Sequence, residues 1–542
     1  MKKIFHIILV SLAALSCTMQ QEYDIVIVGG SASGTAAAIE ASRTGGGALN
    51  ILLVEETQLL GGMLTAAGVS ATDGCHNLCG GIWKEFRDSL VCEYGSLQAL
   101  HTGWVSNTLF EPSVGNRIFQ NMIQKSPGVD YLPNTEANNF KKTPNGWILQ
   151  LSNGRKVNTK ILVDATELGD VAAEAGVEYE VSEVPQDLTY VVTLKDYGKP
   201  SLIAKPNNYD RENYIACCRS EICPDAETSW SKEYMMQYGA LPRGKYMINW
   251  PLHGNDYYVD LIGMNREQRD SAIVIAKNYA LGFIYFLQSE LGFENLGISD
   301  DYPSSDGLPL IPYYREARHI KGLVRLEIED IQRPYENEAR PLYKTAIAVG
   351  DYPVDQHHKA YKGPVTLPDL SCYPVPAYGI PLGVLVPEGI ENMLVAEKSI
   401  SVSNIVSGST RLQPVVLQLG QAAGALAALS VMNNIRPAEV SVRAVQEVLL
   451  NHGAYLLPTT DVAPSHPHFA AIQRVLASGE MRYEGKTEGW SNSAFFYPDA
   501  PYNENNFEEM PQNLTRAQAA EWIDTHIDSL HKYDIDLNGN KK

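Results

Sequence analysis

The stretch YDIVIVGGSASGTAAAIEASRTGGGALNILLVEE constrains the fold of this chain more than any other. Its apolar run Tyr23–Val28 is typical of a strand buried on both faces. A glycine loop follows, then a helix at about 35–43, then a second apolar strand at Ile51–Val54. This order is a βαβ unit, the context in which a glycine loop binds a dinucleotide. We therefore predict an α/β fold that contains a Rossmann-like domain.

The loop departs from the usual glycine pattern at one position. Gly29 can make the tight turn and Gly34 lets the helix pack close to the sheet, whereas Ser31 stands where the backbone approaches a pyrophosphate. Serine is small, and its hydroxyl can donate to a phosphate. Glu55 lies about 20 residues further on, where a carboxylate accepts hydrogen bonds from a ribose diol. The alternative is a Gly-Ser loop followed by a chance glutamate.

Length and charge limit the class of protein. A chain of 542 residues is too long for a single hydrophobic core, so we expect several lobes. Its formal net charge of -20 argues against a nucleic-acid partner, because phosphate backbones are bound by clustered lysine and arginine. A small-molecule substrate is expected instead.

The pattern of the chain changes twice. Alternating apolar and polar residues at 245–263 indicate an antiparallel sheet with one wet face, and apolar residues at helical spacing indicate a helix at 266–291. Nearer the C-terminus the strand-and-helix pattern returns, with a helix that begins near Leu412. The chain therefore leaves its first domain and comes back to it.

The first 17 residues predict export. Lys2 and Lys3 precede an apolar run at 4–15 that is too short to span a bilayer, and Ser16 precedes Cys17. This arrangement resembles the lipobox of bacterial lipoproteins, which implies a lipid anchor on Cys17 and a place in the periplasm or at the outer membrane or cell surface. The alternative is a plain secretory signal with an incidental cysteine.

These patterns predict a Rossmann-like FAD/NAD(P)-type domain with an inserted α+β substrate domain and a small helical C-terminal module. The predicted division is a lipoprotein signal at 1–17, the first part of the dinucleotide domain at 21–180, the insertion at 181–370, the second part at 371–455, the module at 456–530 and a polar tail at 531–542.

Six motifs follow one another between Tyr23 and Leu429, namely VGGSASG, VEETQLLGGMLTAAG, VDATELGD, PYYREARHIKG, GDYPVDQHH and GSTRLQPVVLQLGQAAG. Together they resemble FAD-dependent oxidoreductases of the group related to the flavoprotein subunit of heterodisulfide reductase, within the fumarate-reductase and glutathione-reductase superfamily. The resemblance implies FAD as the cofactor, because a distant C-terminal segment in these proteins closes on the flavin. The iron-sulfur cysteines of archaeal relatives are missing.

The resemblance also implies which residues hold FAD. Gly29, Ser31 and Gly34 would hold the pyrophosphate, and Glu55 the adenosine ribose. The helix that starts near Arg411 would point its positive end at the flavin. The other residues implied to lie near the cofactor are Gly61, Gly62, Met63, Asp164, Ala165, Thr166, Arg411, Pro414, Gly420, Gln421, Ala422 and Ala423.

Arg315, His357 and His358 are the candidate catalytic residues. A neutral histidine is suited to take a proton near neutral pH, and arginine binds a carboxylate or a developing oxyanion. We expect Arg315 to position or polarise the substrate and one of the two histidines to move the proton that accompanies hydride transfer at flavin N5. Either histidine could instead be a packing or surface residue.

The C-terminal segment and the cysteines carry weaker signals. Residues 456–530 resemble an S-layer-homology module, with a plain helical cap as the alternative. Export permits disulfides among the seven cysteines other than Cys17, an odd number. Cys218 and Cys223 have the spacing of a flavin-linked dithiol but lie far from the first cofactor segment.

The leading functional hypothesis is an FAD-dependent oxidoreductase that acts outside the cytoplasm on a polar organic substrate, with carbohydrate-derived compounds favoured. Its electron donor or acceptor is not identified by the sequence, and the membrane enters only through the anchor on Cys17. One alternative is a cell-surface binding protein that keeps the fold without turnover. Another is a lyase on the same scaffold.

Overall fold

The computed structural model leaves the predicted export signal, with Cys17, outside the residues it describes, so lipidation stays a prediction. The described residues are 21–226, 230–490, 492–503, 507–526 and 533–542.

The described ranges contain twelve α-helices. They are α1 Ala32–Thr44, α2 Gly81–Tyr94, α3 Pro112–Gln124, α4 Asp170–Glu174, α5 Lys232–Gln237, α6 Arg266–Ser289, α7 Ile328–Gln332, α8 Asn404–Thr410, α9 Gln413–Asn433, α10 Val442–Asn451, α11 Phe469–Ser478 and α12 Arg516–His526.

The strands form one large sheet and several small ones. They are β1 Gln21–Val28, β2 Ile51–Val54, β3 Val129–Leu132, β4 Ala137–Thr143, β5 Gly146–Leu151, β6 Lys156–Asp164, β7 Tyr179–Glu180, β8 Leu188–Thr189, β9 Val192–Asp196, β10 Ala240–Leu241, β11 Lys245–Ile248, β12 Asp256–Tyr257, β13 Leu296–Ile298, β14 Tyr313–Tyr314, β15 His319–Ile320, β16 Ala346–Gly350, β17 Tyr378–Pro381, β18 Met393–Val395, β19 Glu484–Lys486 and β20 Ser493–Phe495.

The large sheet contains the predicted βαβ unit. Its strand order is β3-β2-β1-β6-β5-β4, and β18 pairs with the C-terminal half of β6. Strands β3, β2, β1, β6 and β18 run parallel, while β5 pairs antiparallel with β6 and β4 pairs antiparallel with β5. The sequence prediction of an α/β fold with a Rossmann-like domain is confirmed.

Helix α1 begins earlier than its predicted start near Thr35. The Ser31 hydroxyl caps the helix by accepting a hydrogen bond from the Gly34 N–H at 3.1 Å, and the helix starts at Ala32. A serine cap of this kind satisfies one of the N–H groups that the first helical turn leaves without a partner. The serine that replaces the expected glycine therefore shapes the loop by capping the helix.

Helix α9 is buried on all sides and lies parallel to α1. A Cβ atom added at Gly420 would lie 2.5 Å from the Ser33 Cα, and one added at Gly424 would lie 3.0 Å from the Ala37 Cα. The small residues predicted on this helix thus allow the backbones of α1 and α9 to approach closely. By length and hydropathy α6 and α9 would suit a membrane span, but 83% of the apolar window in α9 is buried inside the protein.

The insertion contains antiparallel sheets, as its alternating pattern predicts. One sheet has the order β10-β11-β9-β13 and another the order β12-β8-β14. The chain returns to the first domain earlier than the predicted residue 371, because β16 pairs with β17 and lies in the main core. Its residues AIAVG are all buried, so no polar alternation marks the return.

The C-terminal segment packs as part of the main body. Leu457, Ile472, Phe496 and Ile523 lie in the same continuous core as α1 and α9. The Gln473 side chain accepts hydrogen bonds from the backbone N–H groups of residues 456 and 457, both at 2.8 Å. The segment predicted as a small module is therefore joined to the dinucleotide domain through buried apolar contacts.

Candidate active site

A cleft of 570 Å³ lies at the C-terminal ends of β1, β2 and β6. Ligands of open α/β sheets bind at this edge. The cleft brings together predicted cofactor residues from three separate segments, namely Gly29, Ser31, Glu55, Gly62, Ala165 and Thr166. It also contains residues that the sequence analysis missed, among them Thr135, Ala137, Phe140, Arg266, Arg269, Tyr314 and Arg318.

The glycine loop is shaped by close backbone contacts. Gly29 has a φ of 102°, and a Cβ atom there would lie 2.6 Å from the carbonyl carbon of Ala165. A Cβ atom at Gly34 would lie 2.9 Å from the Ala165 Cβ. Both positions require glycine because β6 ends directly beneath the loop.

Glu55 holds the loop from below. Its carboxylate accepts hydrogen bonds from the Gly30 N–H at 2.6 Å and from the Thr57 N–H and hydroxyl at 2.8 and 2.6 Å. Burial raises the pKa of this carboxyl. Since an ionised carboxylate offers about four acceptor positions, capacity remains for a ribose hydroxyl. The structure therefore fits the predicted role.

Asp164 does not face the cleft as predicted. Its carboxylate accepts hydrogen bonds from the Thr166 N–H at 2.9 Å, the Thr166 hydroxyl at 2.7 Å and the Ala172 N–H at 2.7 Å. An aspartate that folds back on its own turn in this way fixes the backbone that follows it. Asp164 thus positions Ala165 and Thr166, which do line the cleft.

The predicted flavin-side segment lies against the loop. Gly61 and Gly62 have φ values of 105° and 49°, and a Cβ atom at Gly62 would lie 2.8 Å from the Ser31 Cα. Met63 is buried. Glycine at position 62 allows the two loops to touch, while a Cβ atom at Gly61 would lie 2.7 Å from the Phe119 ring.

A buried charged cluster at the start of α1 was not predicted. The Glu397 carboxylate accepts a hydrogen bond from the Ser33 N–H at 3.1 Å, and Lys398 forms ion pairs with Glu167 and, at 3.6 Å, with Glu397. Within the described chain, the Oε1 atoms of Glu167 and Glu397 are buried without a hydrogen-bond partner. These atoms and the helix N-terminus fit a large polar ligand such as FAD. No local pattern marks this cluster, since its members come from three segments that are more than 130 residues apart.

Helix α9 extends beyond the N-terminal end of its neighbour α1. Gly420 lies beside Ser33, and α9 begins at Gln413, seven residues before Gly420. The start of α9 therefore lies about 10 Å beyond the pyrophosphate loop. The resemblance given in the sequence analysis implies that this end of α9 faces the flavin. Among the described residues the Gln413 Nε2 and the Arg411 Nε atoms are buried donors without a hydrogen-bond partner. They fit a ring that carries carbonyl and ring-nitrogen acceptors.

The residues at 420–423, which were also predicted to lie near the flavin, do not lie at the start of α9. Gly420, Ala422 and Ala423 lie one to three turns into α9, alongside α1. Gln421 accepts a hydrogen bond from the Ile82 N–H and donates one to Glu40. These residues pack helices together, whereas Arg411, Gln413 and Pro414 lie at the start of α9, the end that the resemblance assigns to the flavin.

Arg315 and His357 meet through an aspartate that was not predicted. Arg315 forms an ion pair with the Asp256 Oδ1 atom at 3.3 Å, and the His357 Nδ1 atom lies 3.4 Å from the Asp256 Oδ2 atom. The other ring nitrogen of His357 lies 2.9 Å from the Asp355 Oδ2 atom. Both nitrogens of His357 therefore face carboxylates.

This polar cluster adjoins the start of α9. Arg411 donates to the Tyr313 hydroxyl at 2.7 Å and to the Asp355 carbonyl oxygen at 2.8 Å. The Arg315 guanidinium lies over the Tyr313 ring, 4.8 Å from its centroid. The Asp73 N–H donates to the Gln413 side chain at 3.0 Å. The cluster thus touches the helix end assigned above to the flavin side.

His358 does not belong to the cluster. It lies near Glu316 and the Pro185 carbonyl, and burial lowers its pKa. Glu316 is itself bound to His319 at 3.0 Å. Adjacent residues of an extended segment point in opposite directions, so only His357 can face Asp256. The structure brings Arg315 together with one of the two predicted histidines.

Charge and burial set distinct pKa values in the cluster. Burial would raise the pKa of Asp256, but Arg315 and His357 hold it at about 2. His357 and Arg411 likewise hold the pKa of Asp355 below its usual range. The two carboxylates raise the pKa of His357 against the opposing effects of burial and Arg315. Asp256 and Asp355 therefore stay ionised, and they favour the imidazolium form of His357.

The cysteines in the described ranges form no disulfide. All seven of those described are free, and the Cys217 and Cys218 Sγ atoms lie 3.7 Å apart. Over the described ranges, no group of three histidine, cysteine, aspartate or glutamate side chains could hold a metal ion.

Comparison with known proteins identifies the family to which this chain belongs. Residues 24–449 match the family model described as FAD dependent oxidoreductase. No protein among the curated sequences matches the chain.

Similarity to solved structures is distant. The chain is 10% identical to p-nitrophenol 4-monooxygenase PnpA from Pseudomonas putida DLL-E4, with 80% of this chain and 85% of that chain aligned and a TM-score of 0.35. It is 18% identical to the oxidoreductase from Agrobacterium tumefaciens over 30% of this chain, with a TM-score of 0.18, and spans 40% of that structure. It is 14% identical to glycine oxidase from Geobacillus kaustophilus, over 33% of this chain and 64% of that chain with a TM-score of 0.23.

The family match covers the glycine loop, Glu55, the polar cluster and α9, the parts that fit FAD in the structure. The chain belongs to the FAD-dependent oxidoreductase family, and its cofactor is FAD.

Proposed function

We propose that this enzyme oxidises an uncharged hydroxylated organic compound, with carbohydrate-derived alcohols as the favoured class, or catalyses the reverse reduction. One observation carries the proposal: the cluster of Arg315, Asp256, His357 and Asp355 adjoins the N-terminus of α9, about 10 Å beyond the pyrophosphate loop. Bound FAD supplies hydride transfer at N5. The chain must therefore bind the substrate, orient it and manage a proton.

The contacts of Arg315 favour an uncharged substrate. Arg315 is 3% exposed and donates to the Asp187 carbonyl oxygen, the Thr189 hydroxyl, Asp256 and Asn249. Its donors are thus already engaged by the protein. A substrate carboxylate would have to displace Asp256, and separating a buried ion pair costs several kcal/mol. We therefore propose that Arg315 holds Asp256, in place of the expected role of positioning or polarising the substrate.

His357 contributes to the site through its two carboxylate partners, Asp256 and Asp355. With one carboxylate at each ring nitrogen, it has no free nitrogen with which to take a substrate proton. We assign it as a positioning residue that fixes Asp256 and Asp355. These carboxylates and the nearby Tyr313 hydroxyl provide the acceptors and donors that a polyol needs.

The family subgroup, the export of the chain and its lipid anchor are proposed from sequence motifs. We propose that it belongs to the subgroup related to the flavoprotein subunit of heterodisulfide reductase, supported by motifs such as GDYPVDQHH and GSTRLQPVVLQLGQAAG. We also propose export and lipid attachment at Cys17, supported by the run of residues 1–17. Residues 456–530 resemble an S-layer-homology module in sequence, and the electron partner is a second small molecule or protein.

A matched pair of sugars tests the proposal. Under anaerobic conditions, glucose should bleach the flavin absorbance at far lower concentrations than glucuronate. The two sugars share the same ring and differ in a carboxylate at C6, so the comparison isolates charge. Bleaching by glucuronate alone would contradict the uncharged-substrate proposal. Binding or cleavage of sugars without bleaching would favour the binding-protein or lyase alternatives.

A further inference from the structure

Two cysteines of the inserted region are neighbours both in the chain and in space. Cys217 and Cys218 are adjacent, and their Sγ atoms lie 3.7 Å apart, with the Cys217 thiol donating to the Cys218 sulfur. A disulfide bond is about 2 Å long, so the two sulfurs need to approach each other by less than about 2 Å to form one. The pair is therefore placed for oxidation without a rearrangement of the fold.

Backbone hydrogen bonds hold the two residues on both sides. The Cys217 N–H donates to the Tyr214 carbonyl oxygen at 3.0 Å, and the Cys217 carbonyl oxygen accepts from the Trp250 indole N–H at 2.9 Å. The next N–H along the chain, that of Arg219, donates to the carbonyl oxygen of residue 230 at 2.8 Å. These contacts leave the thiols unchanged and keep them beside each other.

The surroundings of the two sulfurs suit a disulfide better than a metal ion. Cys217 and Cys218 are fully buried, in an apolar core that also contains Trp250, Phe283 and Phe286. Within the described ranges no third histidine, cysteine or carboxylate joins them to form a metal-binding group. Zinc sites use three or four protein ligands, and buried charges are costly in an apolar core. A disulfide is uncharged and needs no further partner.

A small reagent can reach the pair through the loop that carries it. Residues 214–218 form turns and bends instead of a helix or strand. Loops open locally at a lower free-energy cost than the helices and strands of a core. Cys223, in the same irregular segment, is already partly exposed, so this segment borders the solvent. Local opening of the loop therefore exposes Cys217 and Cys218 without unfolding the protein.

We propose that Cys217 and Cys218 are a reversible oxidation site, at which a small-molecule disulfide converts the two thiols into a disulfide between neighbouring residues. One cysteine thiolate attacks a sulfur of the small disulfide, which releases one thiol and leaves a mixed disulfide. The second cysteine then attacks the protein sulfur of the mixed disulfide and releases the second thiol. The protein thus loses two electrons and two protons, which the small disulfide takes up as two thiols.

The short spacing of the two residues makes this oxidation reversible. Adjacent Cα atoms are about 3.8 Å apart, which is less than the separation of about 4.4–6.8 Å found in ordinary disulfides. A disulfide under such strain is more easily reduced than a structural one. The export proposed above would place the pair in a compartment that favours oxidation. The reaction itself does not depend on the substrate of the flavin.

Mass spectrometry of one peptide tests the proposal. Trypsin cleavage after Arg211 and Arg219 releases ENYIACCR, which contains Cys217 and Cys218 and no other cysteine. The FAD-loaded protein is incubated with oxidised glutathione, denatured, treated with N-ethylmaleimide and digested. We expect a peptide that carries no maleimide and is lighter than the dithiol peptide by two hydrogen atoms. Reduction with dithiothreitol before the maleimide treatment should restore two labelled thiols.

Two variants identify the sulfurs that form the bond. Cys223→Ser should leave the oxidation of ENYIACCR unchanged, because Cys223 is not part of the bond. Cys218→Ser should abolish the loss of two hydrogen atoms from the corresponding peptide. A wild-type peptide that carries two maleimide groups after oxidation would overturn the proposal. So would a disulfide that joins ENYIACCR to the peptide at 220–232, which contains Cys223. These measurements do not involve flavin reduction, so the proposed function stands or fails separately.

Discussion

Gly420 of α9 lies so close to Ser33 of α1 that a Cβ atom at Gly420 would be 2.5 Å from the Ser33 Cα. The same approach recurs one turn later between Gly424 and Ala37. This contact sets the axial offset of the two helices. It therefore sets the distance from the pyrophosphate loop to the polar cluster at the start of α9.

Replacement of Gly420 by alanine should disturb the cofactor site. The added methyl group has no space, so α9 must move away from α1, and overpacking of this kind typically costs about 1–3 kcal/mol. We expect a lower melting temperature and a lower FAD content per protein. Absorbance of the purified protein and thermal unfolding measure both. Gly485→Ala, in the exposed strand β19, is the control and should change neither. Full FAD occupancy and an unchanged melting temperature in Gly420→Ala would refute the tight packing.

Replacement of Glu55 by alanine should weaken FAD binding. The change removes an acceptor for the ribose and also the partner of the Gly30 N–H, which together should cost about 1–3 kcal/mol of binding free energy. Calorimetric titration of the apoprotein with FAD measures this loss. Glu22→Ala, an exposed glutamate on β1, should leave the affinity unchanged. Equal affinity of Glu55→Ala and the wild type would show that Glu55 does not contact the cofactor.

The contiguous motifs allowed much of the fold to be predicted from the sequence. The strand, loop and helix around Gly29 are local, and Gly420 lies in a run of small residues that is typical of close helix packing. Helix boundaries were less accurate, since the cap by Ser31 moves the start of α1 to Ala32. The early return of β16 was missed because a short, fully buried strand carries no alternation.

The site was only partly predictable because its members meet through tertiary contacts. Asp256 and Asp73 lie far from His357 in sequence, and nothing local distinguishes them from other aspartates. The adjacent His357 and His358 have opposite surroundings that only the backbone direction decides. Gln421 was assigned to the cofactor since it shares a motif with Gly420, but its side chain joins α1 and α2.

The protein should be more stable at pH 5.5 than at pH 8. Burial raises the pKa of Asp73 and Asp351 to about 7 and that of Asp164 and Asp187 to about 6, above their values in an unfolded chain. Between about pH 4 and pH 7 the folded state therefore binds more protons than the unfolded state, so the free energy of unfolding falls as the pH rises. Melting temperatures across this range measure the trend.

Asp351→Asn provides the control for this pH dependence. The amide cannot ionise, so the variant should lose less stability than the wild type between pH 5.5 and pH 8. The ion pairs of Asp256 stabilise the folded state throughout the range from pH 5.5 to pH 8. Because the pKa of Asp256 is about 2 in the folded state, this contribution to the free energy of unfolding is lost only below about pH 4. A melting temperature that rises steadily from pH 5.5 to pH 8 would contradict the assigned directions.

Substitutions at the two histidines should have different effects. His357→Ala removes the group between Asp256 and Asp355, so the two carboxylates lose their shared partner and the substrate site its geometry. We expect flavin bleaching by substrate to slow by about 100-fold with the flavin spectrum retained. His358→Ala should stay within about twofold of the wild-type rate, since His358 lies outside the cluster. Stopped-flow absorbance measures both rates, and equal rates for the two variants would refute the division.

The most direct test of the account is an anaerobic titration of the FAD-loaded protein with a neutral polyol, in which flavin absorbance and carbonyl product are measured together. The account predicts that the flavin bleaches and that one carbonyl group forms for each flavin reduced, since a two-electron oxidation delivers one hydride. A flavin that stays oxidised while the polyol is bound or cleaved would contradict it.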